Sequence, residues 1–351
     1  MQSSFELVVC IASTALFDCS KSHRIWKCDG LDAYKKYQRE HADQPLKPGV
    51  GFPLVQSLLQ LNKVVDKPIV DIVLISRNDA VSGLRIINSI EFYKLSIERM
   101  SFTCGEEVTK YLSCWNCDLF LTTEEEQVRN VLAGGHPHSL QGIAAGLVCN
   151  IISESIPVQP VTVTVCSATS VLPNVSSWPK DQVRIVFDGD GVLFLEEPQS
   201  TDLKQPNQQS ETISLAKGPM QTFALKLQNV RRALGENNEW RIRTFLVTSS
   251  SGANTIRLIN TLKEWGVDLD ETHILSGLNK TPFLRVIDPA IFFDNSNEHS
   301  EAFLQFIPAV HIPSSRQTSR ASIDDVVLTR SRHNTKSSTF NEDDFDESKS
   351  C

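Results

Sequence analysis

Residues 256–262 read Ile-Arg-Leu-Ile-Asn-Thr-Leu, and 172 residues upstream residues 84–90 read Leu-Arg-Ile-Ile-Asn-Ser-Ile. Arg257 repeats Arg85, Ile259 repeats Ile87 and Asn260 repeats Asn88, with apolar or hydroxyl exchanges between them. At the same offset Trp265 answers Tyr93, Val267 answers Leu95, Leu269 answers Ile97 and Gly277 answers Gly105. Leu258, Leu262 and Trp265 fall on one stripe of a helix expected over 254–265, as do Ile86, Ile90 and Tyr93 in the earlier copy.

The correspondence extends outward. A Val/Ile/Leu-rich run precedes each helix, VDIVLIS at 70–76 and RTFLVTS at 243–249, and another follows, DLFL at 118–121 and AIFF at 290–293. At the front, ALF at 15–17 follows LVVCIA, and VLF at 192–194 follows RIVF. Short continuous apolar runs alternating with amphipathic helices point to parallel strands covered on both faces. The expected fold is therefore α/β, with two related doubly wound, mainly parallel units. The first occupies 1–150 and the second 183–313, with an insertion at about 196–240. Residues 151–182 read as a linker in which VTVTVC (161–166) is a possible extra strand. Residues 314–351, rich in Ser, Thr, Arg, Asp and Glu, read as a disordered tail. Basic-directed phosphorylation motifs occur there, around Ser319 and Ser322.

Composition narrows the function. The chain of 351 residues has a formal net charge of -8 and is 40% hydrophobic. The acidic balance disfavours nucleic acid as a partner. The first apolar run, Leu7 to Ala12, is too short to span a bilayer and lacks a basic region before it, so no membrane association is expected. Nine scattered cysteines, with a single CxxC at Cys114 and Cys117, suggest reduced thiols and a cytoplasmic location. Asn174 heads a formal glycosylation sequon, without meaning in that compartment.

Chemistry concentrates in the second unit. The run FDGDGVLF (187–194) ends an apolar strand in Asp188 and places Asp190 two residues on. Reactive groups in such sheets gather beyond the C-terminal strand ends, and two carboxylates so close need a proton or a cation between them. A hard divalent ion such as Mg²⁺ suits them. Thr248 ends the next strand, where its hydroxyl can hold a phosphoryl oxygen, and the SSGAN that follows can offer backbone N–H groups. Lys280 can neutralise phosphate and aspartate together. Asp294 ends a further apolar strand, IFFD, and would complete the metal shell with Asp188. Each residue alone is a weak sign; the ordered set suits phosphoryl transfer.

This order resembles the haloacid-dehalogenase-type phosphohydrolases and, over roughly 6–313, the cytosolic 5'-nucleotidases of type I. The stretches that carry the closer resemblance include PLKPGVGFPLV (45–55), LISRND (74–79), GLRIINSI (83–90), FDGDGVLF (187–194), LKEWG (262–266) and IFFD (291–294). The resemblance implies a haloacid-dehalogenase-like second unit and Mg²⁺-dependent hydrolysis of nucleoside 5'-monophosphates through an aspartyl-phosphate. Asp188 then corresponds to the nucleophile and Asp190 to the acid/base residue, whose backbone carbonyl joins Asp188 and Asp294 around the metal. Thr248 and Lys280 correspond to the phosphate-binding pair. The resemblance also implies a homo-oligomer and a nucleotide activator. Three departures stand out: Gly191 where the family has Ala, Ser249-Ser250 where it has an Ala-Arg type sequence, and Asn295 where it has a second Asp.

The first unit lacks the acids. Ile11 and Ser13 align with Asp188 and Asp190, Ser76 with Thr248, Val108 with Lys280 and Thr122 with Asp294. It reads as a noncatalytic partner that shapes the pocket, binds a nucleotide or forms an interface, with Ser76-Arg77-Asn78-Asp79 as its polar cluster. Arg231 and Arg232 in the insertion are candidate substrate contacts, the insertion being expected to cover the pocket. Three alternatives stand beside the nucleotidase reading: a noncatalytic nucleotide-sensing or regulatory protein derived from a nucleotidase, a phosphatase of another small phosphate ester, and a receiver-type phosphate acceptor. The last fits poorly with the roughly 50-residue insertion before Thr248.

Overall fold

The computed structural model describes residues 5–134, 142–148, 181–195, 214–250, 255–296 and 307–314. The possible strand at 161–166, the sequon, most of the linker, residues 196–213 and the tail beyond Ser314 lie outside the described residues.

The first half contains β1 (Leu7–Ala12), α1 (Ser13–Leu16), β2 (Phe17–Asp18), α2 (Ser20–Glu40), β3 (Lys47–Pro48), α3 (Phe52–Leu61), β4 (Val70–Ser76), α4 (Leu84–Phe92), β5 (Arg99–Phe102), β6 (Leu119–Thr122), α5 (Glu125–Leu132) and β7 (Ala144–Val148). The second contains β8 (Val183–Phe187), α6 (Gln221–Leu234), β9 (Ile242–Thr248), α7 (Thr255–Trp265), β10 (Glu271–Ile274), α8 (Thr281–Ile287), β11 (Ile291–Asp294) and β12 (Ala309–His311). The α/β fold with a parallel-sheet core is present, but the halves do not keep separate sheets. One ten-stranded sheet runs β10-β9-β8-β11-β12-β7-β6-β1-β4-β5. Each half contributes five strands in the same doubly wound order, its first strand flanked by its second and its fourth.

The repeat is visible in individual hydrogen bonds. Thr103 N donates to Ser76 O, Cys104 N to Asn78 O and Gly105 N to Arg77 O; 172 residues on, Leu275 N donates to Thr248 O, Ser276 N to Ser250 O and Gly277 N to Ser249 O. Strand pairing then fixes the equivalences at the front of each half. Ile11 pairs with Leu74 and Leu121, and Phe187 pairs with Leu246 and Phe293. Phe187 is thus the counterpart of Ile11, and Asp188 that of Ala12, one residue from the alignment read in the sequence. Past the strand, Gly51 N reaches Ala15 O as Met220 N reaches Val192 O, which restores the sequence alignment. The loop bearing Asp188 and Asp190 is therefore one residue longer than its twin, and Asp190 has no single counterpart.

The seam explains the direction of each crevice. β12 pairs antiparallel with β7, Val310 against Val148 and His311 against Leu147, while the other pairings within the ten-stranded sheet are parallel. The strands of the two halves consequently run in opposite directions, and their C-terminal crevices open opposite ways. Thr122 pairs with Leu147 and Asp294 with His311, so one lateral row crosses the seam between the equivalent positions Thr122 and Asp294. At the usual strand spacing they lie about 14 Å apart.

Packing follows from strand alternation. One face of the sheet carries a single apolar core through both halves, including Leu7, Val9, Ile11, Ile185, Phe187 and Phe293 under α3, α4, α6 and α7. On the other face Val8, Cys10 and Phe120 pack under α5, and Val186, Phe245 and Phe292 pack under α8, as two separate cores. Leu258 and Leu262, like Ile86 and Ile90, are buried as their stripes predict.

Candidate active site

Asp188 follows β8 directly, Thr248 ends β9 and Asp294 ends β11, so three adjacent strands deliver these side chains to one crevice at the switch in strand order. Asp188 N is held by Phe293 O at 2.9 Å, which locks the carboxylate's starting point to the neighbouring strand. Lys280 arrives from the residue before α8. Its Nζ lies 2.8 Å from Asp188 Oδ2 and 3.2 Å from Asp294 Oδ1. All four side chains are buried. Removing one partner from such a buried set costs about 3–5 kcal/mol, because the others are left charged and unpaired.

Burial pushes the Asp188 carboxyl up to about 7; Lys280 pulls it down and Asp294 pushes it further up. With both carboxylates ionised, the trio carries one negative charge beyond what the ammonium neutralises, which a proton or a hard cation would offset. Among the described residues no group of three or more His, Cys, Asp or Glu side chains is placed to hold a metal ion. The donor set nevertheless fits Mg²⁺, which characteristically takes one or two carboxylates and keeps several waters. Asp188 and Asp294 would supply those carboxylates.

Asp190 stands apart from the trio. It is exposed, and its Oδ2 accepts a hydrogen bond of 2.7 Å from Ser250 Oγ. Ser250 Oγ lies 3.2 Å from Thr248 Oγ1, and Ser250 N donates to the same Thr248 oxygen at 3.2 Å. A short polar chain, Thr248–Ser250–Asp190, thus links two of the sequence candidates through a residue that the sequence marked only as a departure. Close packing requires the two glycines of the loop. A Cβ on Gly189 would stand 2.7 Å from Thr248 Oγ1, and one on Gly191 would stand 2.3 Å from Asn295 Nδ2. Gly191 also has φ +77°, a conformation that favours glycine. The departures at 191 and 295 are therefore one coupled feature: the absent methyl makes room for the Asn295 amide.

Other candidates go elsewhere. Arg231 pairs with Asp270 and donates to Thr244 Oγ1 at 3.3 Å. Thr244 is near the start of β9, so Arg231 serves the end of the sheet away from the crevice. Arg232 contacts Asn229 on its own helix. Of the insertion, residues 214–240 are described. Phe194 forms a bridge with Lys217, and α6 returns along the sheet, where Lys226 Nζ lies 3.1 Å from Asp118 Oδ1. In the first half, Arg77 binds Glu124 and the Gly105 carbonyl. Ser76 to Asp79 line a cavity made, among the described residues, wholly of first-half residues.

The sequence model of the 5'-nucleotidase family matches residues 1–150 and 151–319. Among curated proteins, human cytosolic 5'-nucleotidase 1B is 29% identical over 312 residues, covering 84% of this chain and 47% of that protein. The chain thus spans about half the length of this relative. No solved structure matches. Among the described residues no helix is long and apolar enough to cross a membrane.

Proposed function

Because the chain belongs to the 5'-nucleotidase family, phosphohydrolases of the haloacid-dehalogenase type, we propose that it hydrolyses nucleoside 5'-monophosphates to nucleoside and inorganic phosphate. The observation that carries this reading is the buried contact of Lys280 with both Asp188 and Asp294 at adjacent strand ends. Even paired, such buried charges cost desolvation that apolar side chains of similar volume would avoid, so packing alone does not account for them.

Asp188 is the nucleophile. Its carboxylate oxygen bonds to phosphorus as the bond from phosphorus to the 5'-oxygen breaks, leaving an aspartyl-phosphate. Asp190 protonates the departing 5'-oxygen and then takes a proton from the water that attacks the aspartyl-phosphate. The carboxylate left by the first transfer is the base the second step needs, so the proton returns to Asp190 and the cycle balances; the Ser250 hydroxyl, which donates to Asp190 Oδ2, holds that carboxylate in place. Thr248 Oγ1 and Lys280 Nζ hold the equatorial phosphoryl oxygens, where charge must be stabilised during transfer. Asp188, Asp294 and the Asp190 carbonyl would hold Mg²⁺, which when bound neutralises the carboxylates facing an anionic substrate.

Purified chain should release phosphate from at least one member of a nucleotide panel in the presence of Mg²⁺, with Asp188→Asn as the control. Turnover no greater than that control across the panel would leave a nucleotide-sensing role in its place. The reading includes a cytoplasmic location, in keeping with the word cytosolic in the human relative's name. It also includes a homo-oligomer, checked by light scattering, and a nucleotide activator.

A further inference from the structure

The crevice beyond β1, β4 and β6, the first-half counterpart of the catalytic one, is a formed cavity of about 300 Å³. That is the lower end of small-molecule sites, which run from about 300 to 1,000 Å³. Its floor is neutral. Ala12 and Thr122 stand where the second half has Asp188 and Asp294. Ser13 Oγ lies 3.1 Å from Ser76 Oγ, and Thr122 Oγ1 donates to Gln127 Oε1 at 2.9 Å.

Its roof is α2, broken at Gly30. The segment before the break brings Ser22, His23 and Trp26, and the segment after it brings Leu31, Tyr34 and Lys35. The second segment is pinned to the strand end: Tyr34 Oη donates to Asn78 Oδ1 at 2.7 Å, and Lys35 Nζ lies 3.8 Å from Asp79 Oδ2. The first segment supplies an aromatic wall, with the His23 and Trp26 ring centroids 5.4 Å apart. Trp26 lines the cavity and is 48% exposed, a large aromatic surface left uncovered.

Charge decides what fits. Arg77 is engaged by Glu124 at 2.9 Å and by the Gly105 carbonyl, and Lys35 by Asp79. Each of these two cations lining the cavity is matched by a carboxylate that also lines it. Burial, with Lys27 adding to it, lowers the His23 imidazole below its ordinary range against the opposing pull of Glu124, which favours its neutral form. A phosphate entering here would face Asp79 and Glu124, the carboxylates that already hold both cations. The catalytic crevice, with its buried ammonium, is built the other way.

We propose that this cavity binds an uncharged nucleoside, its base against the Trp26 wall and its hydroxyls toward the Ser13, Ser76 and Asn78 end. The choice of a nucleoside among flat, neutral, hydrogen-bonding ligands rests on the nucleotidase reading above.

The test titrates the full chain in Mg²⁺-free buffer with adenosine, AMP and inorganic phosphate, followed by calorimetry and tryptophan fluorescence. Adenosine should bind. Trp26→Ala should weaken it about tenfold, the loss expected for one stacked base; Trp26→Phe should restore most of it, and Arg77→Ala should change it by less than about twofold. Circular dichroism melts confirm that the variants fold. Absence of adenosine binding, or binding indifferent to Trp26→Ala, would overturn the proposal. So would AMP binding tighter than adenosine and lost in Arg77→Ala, which would mark a nucleotide site. Phosphate release is measured separately. Trp26-dependent binding without turnover in any chain would sink the nucleotidase reading alone, and turnover without such binding would sink only this one.

Discussion

Two strand-end crevices share one hydrogen-bonded frame in this chain, yet only one is built for charge. At equivalent stations the second half has Asp188, Thr248, Lys280 and Asp294, and the first has Ala12, Ser76, Val108 and Thr122. The main-chain bonds linking the second and third strands of each half recur without change. The frame therefore does not depend on the buried charged side chains, and at these stations four side chains and one residue of loop length separate the charged crevice from the neutral one. The buried charges of the second half are a local cost that the rest of the fold carries.

The harshest way to break the comparison is to give the second crevice the first one's neutrality. Asp188→Asn should lower phosphate release by about 10⁴-fold or more, as loss of a covalent nucleophile does. It should also abolish phosphate trapped on the protein after rapid quenching. A variant that turns over normally would refute the assigned nucleophile. In Mg²⁺-free wild type, the raised Asp188 pKa means that the fold binds its proton more tightly than the unfolded chain. This contribution to stability is full below the ordinary aspartate range and is lost as pH rises through about 7. Asp188→Asn should flatten that dependence in denaturant titrations run across this window.

Lys280→Ala should cost about 10²–10³-fold in rate, the usual loss of one electrostatic contact to a transferring group. Val108 has no such charge, so Val108→Ala should act on stability alone.

The reverse graft sharpens the point. Ala12→Asp with Thr122→Asp puts the acids into the first half without the longer loop. No new phosphatase activity should appear in an Asp188→Asn background. Stability should fall by about 3–5 kcal/mol, the cost of buried charges without partners, and adding Val108→Lys should recover part of it. Appearance of activity would show that side chains alone, and not loop length, separate the halves.

Gly191→Ala forces a side chain into a positive-φ position against Asn295 and should cost about 1–3 kcal/mol. Combining it with Asn295→Ala should recover the steric share but not the backbone share. Strict additivity of the two substitutions in urea melts would contradict their coupling.

The smallest effect is expected at Ser250→Ala. Loss of its bond to Asp190 should lower the rate about tenfold, the worth of one hydrogen bond to a charged group. Asn78→Ala, the equivalent change in the first half, should leave the rate untouched.

Much of this was legible in the residues. The Val/Ile/Leu runs and the stripes through Ile86 and Leu258 announce parallel strands and covering helices, because burial on both faces of a sheet demands them. The repeat of Arg85 and Asn88 in Arg257 and Asn260 announces the duplication. The order of Asp188, Thr248, Lys280 and Asp294 announces the cluster, because each falls at or beside the end of an element. Arg231 could be read either way, since a basic residue near an insertion looks the same whether it meets substrate or, as here, Asp270. Ser250 looked like a loss, since nothing local reveals that its hydroxyl reaches Asp190.

The sequence by itself determined the α/β class, the two-fold repeat and the four residues that the second half gathers, because strand and helix periods and strand-end positions are local properties of the chain. Only the tertiary structure decided that the halves fuse into one sheet through an antiparallel seam, that their crevices open in opposite directions, that Asp188 answers Ala12 and that Gly191 and Asn295 act as a pair. Each of these depends on which backbone groups find one another across more than a hundred residues, and pairing at that range is set by packing of the assembled layers, not by any residue's own preference.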